Sequence, residues 1–567
     1  MSRMDEEFDF VVVGSGGGSM AAGLFMRSVG KSAVILEKTD LIGGTTATAG
    51  GVMWIPNNRF MAEEGVEDSY EKASRYLDAT VGDHDDTPGA TRERRTAYLT
   101  EGPRMVDFLV EQGIKLRRVP YWPDYYDERP GGSEAGRTVV AELFDANELG
   151  EWKAKLRPNF MQVPVKLEEG MALPTFKYSW KGKRILARMI GRSLIAKVTG
   201  KHWVTAGGAL QGRMLKAAVD AGVDIRTDAP VNELIVAEGR VIGVRTVKDG
   251  KPWRIGARLG VLLNAGGFAR NQKMRDKYIP QTSAEWTNTC VGDTGEIIEE
   301  AQRIGAALAQ MEERVGNQMT LPPDHDNFFL PMVQMDGSKP HAILVDQSAQ
   351  RYQNEAGSYM EYGQNMLARD RKVPAIPSWM IVDQQYMGRY MFSGTMPGSK
   401  KPQAWYDSGF LKKAETIADL ARQCGLDPAA LEATVKRFNG FVAKGKDEDF
   451  HRGDRAYDRY LGDSYDKHNP ALGTIEKAPF YAVQIYPGDV GTYGGVVTDA
   501  NARVLREDGS AIEGLYATGT TTASVMGRTY PGAGSSIGPS FTWGFVAAKH
   551  AAGAGNYAGA EKVRVVA

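Results

Sequence analysis

Cysteine is almost missing from this chain. Its 567 residues include two, Cys290 and Cys424, far apart in sequence. That excludes a disulfide framework, a CxxC redox pair and a cysteine-rich metal site. Histidine is also sparse: the seven present are scattered, with no HExxH and no close pair, so no metal centre is expected. Long apolar runs are lacking, and none approaches the ~18 residues of a membrane-crossing helix. The opening MSRMDEEFDF is acidic and lacks the apolar stretch of a secretory signal. Charge of one sign is lacking too. The net charge of −1 gives no global reason to expect nucleic acid or another polyanion as partner. The default expectation is a cytoplasmic protein.

What is present is an ordinary globular balance, 42% apolar and 25% charged, in a chain too long for a single core. Phe8–Val13 (FDFVVV) reads as a buried parallel strand. A glycine cluster follows, then a helical stretch from Met20 to Val29, then a second strand from Ser32 to Leu36 closed by Glu37. This is a βαβ unit. Farther on, strand-like runs (Val241–Val247, Gly260–Asn264) alternate with helical ones (Leu210–Ala221). Asp346–Glu355 and Ala414–Lys444 look like a separate α+β region, and from Phe480 the glycine-rich apolar pattern returns. The class is α/β, with a Rossmann-like cofactor domain split in sequence and an α+β domain inserted in it. A loop rich in Pro, Gly and aromatics, Val119–Gly132, is expected to lie over a functional face.

The cluster Gly14-Ser15-Gly16-Gly17-Gly18-Ser19 fits GxGxx(G/A) only with Ser19 in the third place. Such a match is weak alone. Here a strand precedes it, a helix follows it, and Glu37 stands where ribose recognition requires an acid. Gly14 makes the tight turn, Gly16 lets a pyrophosphate approach the backbone, and the helix N-terminus supplies N–H groups. Gly43-Gly44-Thr45-Thr46, Gly50-Gly51, Ala265-Gly266-Gly267 and Gly519-Thr520 add small residues at four further places. NAD needs only the first cluster, whereas a flavin extended through the domain uses them all. Lys38, Ser536 and Ile537 complete the candidate cofactor-binding set.

These segments carry a resemblance. GSGGGS, EKTDLIGGTTATAGG, LNAGGF and GLYATGTTTASVMGRTYPGAG resemble flavoproteins of the fumarate reductase/succinate dehydrogenase superfamily, and within it the 3-ketosteroid Δ1-dehydrogenases. Pro123-Asp124-Tyr125-Tyr126, Arg351-Tyr352-Gln353-Asn354-Glu355 leading to Tyr359, and Thr529-Tyr530-Pro531-Gly532-Ala533-Gly534 are specific to that subfamily. The resemblance implies non-covalent FAD, a substrate-capping catalytic domain at 312–490, and an FAD domain built from 1–311 and 491–567. It places catalytic tyrosines at Tyr125 (or adjacent Tyr126), Tyr359 and Tyr530, and a backbone N–H donor at Gly534. In the implied reaction Tyr359 takes the C2 proton of a steroid-like ketone, Tyr530 and Gly534 stabilise the enolate, and the flavin accepts the hydride from C1. The electron acceptor is unknown. Thr520 stands where relatives often have Asn, and Asp293-Thr294-Gly295-Glu296 where Asn-Thr-Gly-Asp is common.

The rival readings are a fumarate-reductase-type ene reductase and a ketosteroid dehydrogenase of other regiochemistry. The former needs arginines and histidines for a dicarboxylate, yet Arg528 is the one arginine of the last glycine motif. Phe328, Phe329, Trp379, Met391 and Phe392 offer an apolar pocket or ordinary core. Between Lys177 and Lys201 lie eight Lys or Arg and no acid. On a helix Arg184, Arg188 and Arg192 share one face, with Ile185, Leu186, Met189, Ile190 and Leu194 on the other. Such a helix can lie peripherally on the inner face of a membrane, or can pack its apolar side on the core.

Overall fold

The computed structural model describes residues 4–323, 329–466 and 468–555. Its largest sheet is built from distant parts of the chain. The order is Arg503–Leu505, Ala511–Ala517, Lys251–Leu263, Glu6–Val13, Ala33–Leu36, Asp224–Arg226. Every neighbouring pair from Ala511–Ala517 onward is parallel. The run Phe10–Val13 explains this placement. Phe10 and Val12 pack in one apolar core and Val11 and Val13 in another, so both faces of the strand are covered, as a parallel sheet requires. Arg240–Lys248 folds back antiparallel on Lys251–Leu263, so that strand begins well before the expected Gly260.

The helix expected from Met20 starts at Gly17 and runs to Ser28. The first-turn N–H groups of a helix have no internal partner, so small residues enter there easily. A second, antiparallel sheet joins Arg314–Met319, Phe480–Thr492, Ser378–Val382, Ala342–Val345 and Leu411–Ala414. Helices Ile417–Cys424 and Pro428–Lys444 pack beside it. The stretch Asp346–Glu355 carries no regular element; side chains hold it instead. Arg351 bonds Glu355 at 2.6 and 2.7 Å and Asp447 at 2.7 and 3.1 Å, and Arg452 reaches Glu355 at 3.2 Å.

A second buried ion network lies under the Val119–Gly132 loop. Arg137 grips Asp68 through Nε (2.9 Å) and Nη2 (2.6 Å), and Asp124 through Nη1 (2.6 Å). Asp124 also accepts from Trp54 Nε1 at 2.7 Å and Ser133 N at 3.1 Å. Burial pushes the Asp124 carboxyl up to about 6, and Arg137 pulls against that shift.

The basic segment forms the helix Trp180–Thr199, capped by the Ser179 hydroxyl. Arg188, 59% exposed, and the half-buried Arg192 reach over to the buried Glu169, at 3.0 and 2.6 Å, because a buried carboxylate demands cations. Ile185 is buried, whereas Trp180, Ile190, Leu194, Ile195 and Val198 are exposed. The outward surface thus mixes these apolar side chains with exposed Lys181, Lys183, Arg184 and Lys197. Among the described residues no helix is long and apolar enough to cross a membrane.

Arg137→Met should lower stability by roughly 3–5 kcal/mol, since it strands two buried carboxylates. The midpoint of chemical unfolding of the cofactor-loaded protein checks this; an unchanged midpoint would dismiss the network as a structural anchor.

Candidate active site

A single cavity of about 1410 Å³ runs from the first glycine cluster to the inserted sheet. Single-ligand pockets are typically ~300–1,000 Å³, so this one has room for a cofactor and a substrate together. Gly14 turns at φ +91°, where a Cβ would sit 2.3 Å from the Asn264 carbonyl oxygen. Only glycine fits that crossing. Gly16 ends the turn, and the 12-residue helix after it has no side-chain cap, which leaves its first N–H groups for a ligand.

Glu37 is fully engaged. Its Oε2 accepts from Ser15 N (3.2 Å) and Oγ (2.5 Å), and its Oε1 from Thr39 N and Oγ1 (both 2.9 Å). Lys38 is tied to Glu296 and to Thr294 Oγ1. Thr45 Oγ1 accepts from Cys290 N at 3.0 Å. Burial pushes the Asp293 carboxyl up to about 6 while it accepts from Gly267 N.

Of the candidate cofactor residues, Gly14, Ser15, Gly16, Glu37, Lys38, Gly44, Thr45, Thr46, Gly50, Ala265, Gly266, Gly519, Thr520, Ser536 and Ile537 line this cavity. The remaining six lie behind its wall. Gly17 and Gly18 pack on Phe541 and Ser540, and Gly51 on Gly207. Ser19 Oγ accepts from Asn264 Nδ2, and Gly43 N donates to Ser15 Oγ. The wall is long, narrow and built of small residues with one helix N-terminus. An extended dinucleotide flavin fits these features.

Farther in, the cavity meets a cage of tyrosines. Tyr359 and Tyr530 have ring centroids 4.9 Å apart, Tyr125 and Tyr359 5.6 Å, and Tyr125 and Tyr530 5.8 Å. Tyr126 faces away, under the guanidinium of Arg129. Burial raises the pKa of each cage phenol. Tyr530 is pushed up to only about 12, because the Tyr359 hydroxyl and the N–H groups of Ser536 and Gly534 stabilise its phenolate. Tyr359 lies well above the ordinary value, raised by burial and then by Tyr530 and Tyr125.

The loop 530–534 is fixed from two sides. Pro531 O accepts from Tyr125 N (2.9 Å) and Tyr76 Oη (2.6 Å). Gly534 lies at φ +102°, with Val52 O only 2.5 Å from where a Cβ would stand.

The motif-based reading misses Tyr457. Its ring stacks on Tyr125 with centroids 4.2 Å apart, and its hydroxyl accepts from Gln334 Nε2 at 2.6 Å. Asp127 of the Val119–Gly132 loop accepts from Ala456 N (2.9 Å) and Tyr457 N (3.0 Å), which docks the loop on that helix. No spacing in the sequence signals this contact. Phe329 and Met391 line the cavity. Trp379 and Phe392 belong to packed cores, and Phe328 lies outside the described residues. Met171, Ile185, Met332 and Met335 supply further apolar wall.

Comparison with known proteins agrees with this geometry. Residues 9–537 match the FAD binding domain family. The chain is 40% identical over 560 residues to the 3-oxosteroid 1-dehydrogenase of Mycolicibacterium smegmatis, covering 96% of this chain and 97% of that protein. It is 33% identical to the 4-oxocyclohexanecarboxylate 2-dehydrogenase of Sinomonas cyclohexanicum, covering 96% and 93%. The crystal structure of the 3-ketosteroid delta1-dehydrogenase from Sterolibacterium denitrificans in complex with 1,4-androstadiene-3,17-dione superposes with a TM-score of 0.90 at 34% identity, covering 97% of this chain and 100% of that one. The chain belongs to the FAD binding domain family and, within it, to the 3-oxosteroid 1-dehydrogenase group of FAD-dependent oxidoreductases.

Proposed function

We propose that this protein dehydrogenates the C1–C2 bond of a 3-ketosteroid. The observation that carries the reading is the convergence of Tyr530, Tyr359 and the Gly534 N–H on one buried spot of an otherwise apolar cavity. The substrate ketone enters there and replaces the Tyr530 oxygen as acceptor of the Gly534 N–H. Tyr530 O–H is then the second donor, and the pair stabilises the enolate oxygen as it forms. Tyr359 takes the proton from C2. Tyr125, beside it, shares that proton and passes it on. Bound FAD supplies the hydride acceptor for C1.

Gly14, Gly16 and the helix N-terminus hold the pyrophosphate. Glu37 holds the ribose, with a ribose hydroxyl taking the place of the Ser15 hydroxyl at Oε2. Gly44–Thr46, Ala265, Gly266, Gly519, Thr520, Ser536 and Ile537 line the rest of the cofactor. The cofactor domain comprises 1–311 and 491–567, and the catalytic domain 312–490. The names of both relatives denote dehydrogenation of ring ketones. The size of the cavity favours the larger, fused-ring class.

We further read the helix Trp180–Thr199 as a peripheral membrane contact. Trp180 is 79% exposed, Leu194 60% and Val198 88%. Lys181, Lys183, Lys197 and Lys201 stand among them, matching apolar side chains to lipid and ammonium groups to anionic headgroups.

Purified protein should be yellow and release FAD on denaturation. Glu37→Gln should lower flavin retention, since an amide nitrogen cannot accept the bonds that Glu37 now takes. A flavin-to-protein absorbance ratio equal to wild type would count against Glu37 as a cofactor residue.

Tyr359→Phe should retain FAD and bind ketosteroid yet lose most turnover. Tyr530→Phe should lose on the order of 2–4 kcal/mol of transition-state stabilisation. Wild-type rates in both would end the assignment. Because burial raises the Tyr359 pKa, the phenolate fraction is small at neutral pH and grows with alkalinity. Turnover in the wild type should therefore climb from about pH 7 to about pH 10 without levelling; a flat or falling profile contradicts a tyrosine base.

The protein should co-sediment with anionic liposomes at low salt, and a Leu194→Glu, Ile195→Glu, Val198→Glu variant should stay in the supernatant. If the wild type also stays there, the helix is an ordinary surface helix.

A further inference from the structure

The helix Ala456–Leu461 measures the cavity. At its start Tyr457 stacks on Tyr125. At its end Lys339 donates to the carbonyls of Leu461 and Gly462, the latter at 2.9 Å. With a rise of ~1.5 Å per residue, those carbonyls lie roughly 6 Å or more beyond Tyr457 along the axis. Lys339, Leu461 and Gly462 line the same cavity that the tyrosine cage enters.

Lys339 is half-buried and poorly neutralised, and burial lowers its ammonium pKa to about 8. Among the described residues it forms no ion pair within 4.0 Å. The two nearest carboxyls are otherwise engaged. Asp463 takes Arg389 Nη2 (2.6 Å), Tyr390 Oη (2.8 Å) and Tyr465 N (3.0 Å). Asp336 accepts from Ser393 N at 2.8 Å, and burial pushes it up to about 7, so it carries only part of a charge at neutral pH. Two of the three ammonium donors are used on carbonyls, and a buried cation without a counter-ion is costly. Arg389, which also lines the cavity, is paired with Asp463, but its buried Nε has no partner.

We propose that Lys339 and Arg389 receive a carboxylate at the far end of the substrate, so that the enzyme prefers 3-ketosteroids whose side chain ends in an acid. This rests on the ketosteroid reading above. The ring ketone sits at Tyr530 and Gly534, the fused rings lie along the apolar wall of Met332, Met335 and Leu461, and the acid reaches the Lys339 end. A lysine that only caps the helix end accounts for the two carbonyl bonds, but it gives no preference between an acid and its ester.

The test compares kcat/KM for a 3-oxo-4-ene steroid with a carboxylate-terminated side chain, its methyl ester, and a neutral 17-ketone. An acid-to-ester ratio of about tenfold or more is expected, the scale of one charge-assisted hydrogen bond. Lys339→Met should bring the ratio to about one, and Lys339→Arg should preserve it. A wild-type ratio near one overturns the proposal, as does a ratio that Lys339→Met leaves intact. Should Lys339→Met fail to retain flavin, the wild-type ratio decides alone. Turnover of the neutral 17-ketone without a preference for the acid defeats this inference only. No turnover of any of the three defeats the ketosteroid reading itself.

Discussion

Arg137 has no exposure to water, and its guanidinium is shared between the carboxylates of Asp68 and Asp124. A buried charge must keep its partners, so these three side chains cannot drift apart without leaving a charge stranded. Much of the cage geometry follows. Asp124 immediately precedes Tyr125 and also holds the Trp54 indole. Trp54 donates its backbone N–H to the Gly534 carbonyl at 3.2 Å. Tyr125 donates its own to Pro531 at 2.9 Å. The loop that carries Tyr125 and the loop that carries Tyr530 and Gly534 are therefore held to one another by backbone bonds pinned to one ion network. Gly534 can press against Val52 and Trp54 only because it lacks a Cβ.

The inserted domain meets that frame through a second set of constraints. Arg351, Glu355, Asp447 and Arg452 lock the irregular stretch that leads into Tyr359. Asp127 caps the helix that carries Tyr457. Tyrosines from separate parts of the chain thus share one buried site. Burial raises every phenol's pKa there, and the donors aimed at each oxygen set the order. Tyr530, with two backbone N–H groups and the Tyr359 hydroxyl, is held lowest. That is the arrangement expected of a group that must stabilise negative charge on an oxygen. Tyr359 lies far higher, because burial and the neighbouring Tyr530, Tyr125 and Tyr457 all disfavour its phenolate.

The dinucleotide half was largely legible in the sequence, because its signals are local. The strand before Gly14, the helix after it and the acid at Glu37 are short-range patterns; the structure places Val13 and Glu37 on the cavity and starts the helix directly behind Gly16. The split of the sheet between both ends of the chain was legible from the return of the glycine pattern. Tyr125, Tyr359 and Tyr530 could be named only through the resemblance, since nothing in their spacing shows that they touch. Tyr457 was illegible for the same reason, as its role depends on a helix cap supplied by Asp127 from 330 residues away. How the irregular stretch before Tyr359 is held was also illegible, because charged side chains rather than backbone periodicity hold it. The helix Trp180–Thr199 was recognised, but which of its sides meets the core was left open. Helical periodicity says which residues share a face and not which face points inward, and the buried Glu169 decides that here.

That last orientation bears on how a sterol-like molecule reaches the cage. On one helix, Ile185, Arg184 and Arg188 line the cavity while Leu194, Ile195 and Val198 face outward. Arg188 and Arg192 bind Glu169, which lies at the cavity wall. The helix is therefore clamped at the wall by ion pairs, with an apolar row exposed among lysines on its outside. A soluble protein gains nothing by exposing such a row of side chains to water. The proposed membrane contact would offset that cost, and would set the cavity against the phase into which an apolar ketone partitions. On this reading the clamp at Glu169 and the exposed row serve one end: they hold the wall of the cavity at the surface from which its substrate comes.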